Sequence, residues 1–126
     1  MKLFLKWGVG VALGVATLPA ASAAQEMPAG VTAAMVAEGK EIFAGAGLCA
    51  SCHGPDGTGT PIAPALNDAA WLNIDGAYPN IVTLVTTGVA TPKEHPVPMA
   101  PKGGTNLSDD QVKAVAAYVW SLTNGM

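Results

Sequence analysis

The chain has 126 residues, of which half are hydrophobic, and a formal net charge of −3 with no arginine among its six basic residues. That balance excludes a nucleic-acid binder, which needs basic side chains to neutralise phosphates. The length allows one modest domain.

The opening stretch "MKLFLKWGVGVALGVATLPAASAA" places Lys2 and Lys6 ahead of an apolar run from Trp7 to Leu18. It closes on Ala21-Ser22-Ala23, the small-x-small pattern of a signal peptidase site. The run is short for a membrane span of about 20 residues. Residues 1–23 are therefore expected to be a cleaved Sec-type signal peptide, with an uncleaved anchor as the alternative. Residues 24–126 are expected to form a single exported, soluble domain with no membrane span. Its 103 residues carry four lysines against nine acids, a net of −5. A surface of that sign suits a partner with a basic docking patch.

From Thr32, "TAAMVAEGKEIFAGAG" has helical periodicity, with Met35, Val36, Ile42 and Phe43 on an apolar face and Gly45 and Gly47 as an ending. Next comes "CASCH", residues 49–53, which holds both cysteines of the chain and one of its two histidines. On a helical turn Cys49, Cys52 and His53 fall at i, i+3 and i+4 and share one face. A haem against that face could take two thioether bonds from the thiols while the imidazole reaches its iron. C-x-x-C-H is the attachment signature for haem c. Three other readings of the cysteines stand beside it. A structural disulfide is possible in an exported chain. A thioredoxin-like redox pair would need a βαβ context, and no strand precedes the motif. A zinc site would need four ligands, and only one further histidine exists.

"GPDGTGTPIAPALND", residues 54–68, is rich in glycine and proline and reads as loop. A short helix is expected over Tyr78–Thr87, with Pro79 in its first turn and Gly88 just past its end. "VATPKEHPVPMAPKGG" carries four prolines and is expected to run extended rather than helical. The last helix has the strongest local signals. Ser108 with Gln111 forms a capping box, Asp109 and Asp110 suit the positive end of the helix dipole, and Val112, Val115, Ala116, Val119 and Leu122 mark one apolar face. Long loops in so small a domain need something to pack against, which points to a non-protein body in the core.

With His53 as one axial ligand, the candidates for the sixth iron position are Met27, Met35, Met99, Met126 and His95. Met27 and Met126 lie near the ends of the expected mature chain, and Met35 on an apolar helix face reads as core. Met99 sits in a loop stiffened by Pro96, Pro98 and Pro101, which lowers the entropy cost of presenting a weak thioether ligand. Residue chemistry thus favours Met99, with His95 or an open position as alternatives.

"CASCHGPDGTG", "APALND" and "PMAPKGGTNLSDDQVKAVAAYVWSL" together resemble the class I cytochrome c family. They are most similar to small bacterial monohaem cytochromes and to cytochrome c domains attached to oxidases and periplasmic dehydrogenases. The likeness runs from about Glu38 to Leu122. It implies an all-α fold, three to five helices wrapped around one covalently bound haem c. It also implies iron ligation by His53 and Met99, a hydrogen bond from His53 to the carbonyl of Pro64, and Leu66 against the haem. In the family the first and last helices cross through a glycine and an aromatic residue, positions held here by Gly39 and Phe43 opposite Val115 and Tyr118. The implied task is electron transport in the periplasm, between a dehydrogenase or other respiratory donor and a terminal acceptor such as an oxidase. Two other functions remain open from the residues: a five-coordinate haem that binds peroxide or gas, and a haem-free thiol–disulfide protein.

Overall fold

The computed structural model describes residues 8–18 and 26–126. The two leading lysines and the proposed cleavage site Ala21-Ser22-Ala23 lie outside the described residues. Residues 8–18 form no helix, and Val9, Leu13 and Leu18 are almost fully exposed. None of the described helices is long and apolar enough to cross a membrane.

Four helices follow in chain order: α1 (Ala33–Ala44), α2 (Cys49–His53), α3 (Tyr78–Thr87) and α4 (Asp109–Asn124). Among the described residues there is no strand, only the isolated bridges Thr60–Ala63 and Val89–Met99. The fold is all-α.

Local chemistry explains most helix ends. At the start of α1, Thr32 Oγ1 accepts from the Met35 amide at 3.2 Å. For α4 the capping box is complete: the Gln111 amide donates to Ser108 Oγ at 3.1 Å, and the Ser108 amide donates to Gln111 Oε1 at 2.9 Å. Pro79 opens α3, and Gly88 closes it at φ +72°. The proline-rich stretch after α3 departs from the expectation of a wholly extended chain. Residues Pro101–Gly104 form a single 3-10 turn, with Lys102 and Gly103 in left-handed conformations. Pro101 supplies the first dihedral angle of that turn without cost.

α1 crosses α4 at Gly39. A β-carbon there would collide with the carbonyl of Ala114 and crowd the Cβ of Tyr118. Glycine in mid-helix costs about 1 kcal/mol relative to alanine, and the close approach of the two backbones is what it makes possible. One turn further on, the rings of Phe43 and Tyr118 meet edge to face, centroids 5.3 Å apart at 67°. Such a pair adds about 1 kcal/mol beyond its buried area. The residue opposite Gly39 is Ala114, where the resemblance implied Val115. Val115 is buried on another side of α4.

That difference has a geometric cause. Every residue of α4 from Ala114 to Ser121 is buried, so this helix is covered all round rather than along one stripe. One side meets α1. Another, through Val115 and Val119, forms the wall of a cavity that α3 closes with Ile81 and Val85. The helices thus enclose a space rather than only one another.

Candidate haem-attachment site

α2 is a single short helix whose role is to present side chains. It starts from Leu48, held at φ +56°, and ends at Gly54. Its backbone is tied to the loop that follows. The Gly59 amide donates to the carbonyl of His53 at 2.7 Å, and Thr60 Oγ1 donates to the carbonyl of Cys52 at 2.6 Å. Further along, the Leu66 amide donates to the carbonyl of Gly57 at 2.7 Å. These bonds fold residues 54–66 back over the helix and bring Pro64 to His53.

His53 Nδ1 lies 2.8 Å from the carbonyl oxygen of Pro64. That oxygen can only accept, so Nδ1 carries the proton and Nε2 keeps its lone pair. Burial holds the ring below the ordinary histidine pKa, partly opposed by the Pro64 bond; the proximity of His95 lowers it a little further. A neutral, oriented imidazole with one free nitrogen is the state in which histidine ligates a metal.

Cys49 and Cys52 are half-buried and unpaired. Burial pushes the Cys49 thiol up to about 11, so it is a neutral thiol at physiological pH rather than an activated thiolate. The disulfide alternative therefore has no bond here. Among the described residues no group of three or more His, Cys, Asp or Glu side chains could hold a metal ion, which leaves the zinc reading without its ligands.

Both thiols and the imidazole open on one largely apolar cavity of about 250 Å³. Pro64 and Leu66 border it from the loop after α2, and Phe43 from α1. The segment after α3 supplies the remaining side, including His95 and Met99. Met27, Met35 and Met126 do not border it, so the structure separates the methionine candidates. Met99 is fixed through its backbone: Val89 N donates to Met99 O at 2.8 Å, and Met99 N donates to Val89 O at 3.0 Å. Gly88 is required beside this bridge, because a β-carbon there would strike the carbonyl of Met99.

Some bordering residues were not assigned from sequence. Trp71 borders the cavity, whereas Trp120 is packed in the core away from it. Ile81 and Val85 lie on a helix that the sequence marks only by its ends, and nothing local marks Val89 as the partner of Met99.

The residues present fit a haem c. Two unpaired thiols three apart match its thioether bonds, and the imidazole keeps a lone pair for iron. The apolar walls suit the body of a macrocycle. An all-α domain with this attachment turn defines the class, a c-type cytochrome. The comparisons agree: the family model for cytochrome c matches residues 36–123, and the chain belongs to that family. Membership implies haem c as the cofactor. Among curated proteins, the chain is 40% identical over 93 residues to the cbb3-type cytochrome c oxidase subunit FixP of Rhizobium meliloti (strain 1021), covering 72% of this chain and 29% of that protein. It is 38% identical over 97 residues to the cbb3-type cytochrome c oxidase subunit CcoP of Cereibacter sphaeroides, covering 74% and 29%. The chain thus spans under a third of the length of these relatives. No solved structure gives a significant match.

Proposed function

We propose that this chain is an exported electron carrier, not an enzyme, with one haem c joined to Cys49 and Cys52 and its iron held by His53 and Met99. In this reading residues 1–23 are the signal peptide and residues 24–126 the single periplasmic domain. A haem seated there would supply a one-electron couple between Fe(II) and Fe(III), with a potential raised by the thioether ligand. The protein's part is to hold both ligands, exclude water with apolar walls, and fix the His53 ring through Pro64.

The observation that carries this reading is the bridge between Val89 and Met99. It fixes the one methionine, among the described residues, that borders the cavity holding His53. If His53 and Met99 both held the iron, no position would be left for a substrate, which favours a carrier over a peroxide- or gas-binding protein.

The names of the relatives support an oxidase as the electron acceptor, and the acidic balance of residues 24–126 favours a docking face rich in lysine or arginine on that partner. The test is an absorption spectrum of the oxidised protein after export to a periplasm. A haem c spectrum with the weak near-infrared sulfur-to-iron band supports the ligand set. Its absence, together with prompt carbon monoxide binding by the reduced protein, would replace the carrier reading with a five-coordinate one.

A further inference from the structure

His95 has no role in the ligand set above, yet it borders the same cavity as His53 and Met99. Its Nδ1 is buried and has no hydrogen-bond partner. A buried imidazole nitrogen left unsatisfied costs on the order of 1–3 kcal/mol, so a ring in this position calls for a compensating contact. No side chain or backbone group supplies one. His95 is also close enough to His53 to act on it electrostatically.

The chain around His95 is unusual. Between the two residues of the Val89–Met99 bridge lies a closed loop containing Pro92, Pro96 and Pro98, with Glu94 at φ +64°. Both ends of this loop are tied together by the backbone, and three prolines restrict what lies between. His95 is therefore carried on the same stiff loop as Met99, four residues ahead of it. One loop presents two side chains of different hardness to one cavity, a thioether and an imidazole.

We propose that His95 is a reserve iron ligand: when the Met99 thioether is lost, its imidazole takes the sixth position. The inference rests on the haem reading given above. Imidazole is the stronger σ-donor toward ferric iron and thioether the weaker one, so an imidazole within reach outcompetes water for the position. The bridge that fixes the loop uses backbone groups and survives replacement of the Met99 side chain, so the loop that carries His95 stays closed when the thioether is gone. Histidine in place of methionine keeps the iron six-coordinate and lowers its reduction potential. A protein with a damaged ligand would then be a poorer oxidant without becoming a gas-binding or peroxide-activating haem.

The test compares holoproteins carrying Met99→Leu, Met99→Leu/His95→Phe and His95→Phe. Leucine keeps the apolar volume of methionine and removes only the sulfur. Circular dichroism checks that each variant is folded, and intact mass checks that haem is attached. Met99→Leu is expected to lose the near-infrared sulfur band yet remain low-spin by electron paramagnetic resonance. Its reduced form should bind carbon monoxide at least about tenfold more slowly than that of the double variant, which should be high-spin. A high-spin Met99→Leu protein that binds carbon monoxide as fast as the double variant would overturn the inference, as would a double variant that stays low-spin. Absence of the sulfur band from the parent protein would tell against Met99 as the native ligand, a failure of the underlying reading and separate from the reserve role. Mature protein of haem-free mass would remove both.

Discussion

Gly39 on α1 and Ala114 on α4 stand so close that no side-chain atom fits between them. This contact sets how tightly the two helices that frame the domain can pack, and the Phe43–Tyr118 ring pair lies beside it. The Gly39→Ala substitution must push the helices apart or bend one of them. Overpacking of this kind costs about 2 kcal/mol, or a fall of about 10 °C in melting temperature for a domain of this size. Calorimetry of the holoprotein reads it directly. A melting temperature unchanged or raised would show that helix propensity outweighs the contact.

Asp75 gives a pH-dependent test remote from the cavity. Its Oδ1 accepts from the Ala77 amide at 3.0 Å and from Asn80 Nδ2 at 2.8 Å, just ahead of α3. The Asn80 bond first, then the Ala77 bond, hold its carboxyl below the ordinary value of 3.8. A carboxylate with a lowered pKa in the folded state stabilises above its unfolded pKa and loses that contribution as pH falls through the folded one. The Asp75→Asn variant should therefore melt below the parent near neutral pH. The gap should narrow as pH drops beneath 3.8. A gap that persists unchanged at acid pH would assign the loss to shape rather than charge.

The cysteines test how far the fold depends on what fills the cavity. Phe43, Ile81, Val85, Val115 and Val119 all border it, so a chain unable to attach haem must leave apolar surface wetted or collapse onto it. The Cys49→Ala/Cys52→Ala variant is expected to lack a single cooperative thermal transition by circular dichroism. A sharp melt would show that the helices suffice on their own.

Electrostatic steering is the fourth expectation. With four lysines against nine acids in residues 24–126, electron transfer to a partner with a basic face should slow as salt rises. The screening length shrinks from about 30 Å at 0.01 M to about 3 Å at 1 M. Stopped-flow measurements should show a fall of about tenfold or more in the second-order rate over that range. A flat salt profile would remove charge from the account of docking.

The sequence was most legible where a signal is local. Ser108 and Gln111 announce their capping box within four residues, and Pro79 and Gly88 bracket α3. The attachment turn is readable because C-x-x-C-H needs only one turn of helix to converge. Contacts set by distant pairs were harder. Ala114 rather than Val115 faces Gly39, and periodicity does not resolve one position in a helix buried all round. The pairing of Val89 with Met99 crosses a nine-residue loop whose composition says only that it is not helical. The 3-10 turn at Pro101–Gly104 was missed for the same reason, since a proline-rich run can be extended or tightly turned.

α4 belongs to two neighbourhoods at once. Ala114 and Tyr118 belong to its seam with α1, while Val115 and Val119, each one residue along, look onto the cavity. A displacement at the seam is thus transmitted through a single rigid rod to the chamber wall. Substitutions at Gly39, which touches nothing in that chamber, should register in the colour of the bound pigment, making its visible bands a strain gauge for a joint on the far side of the helix.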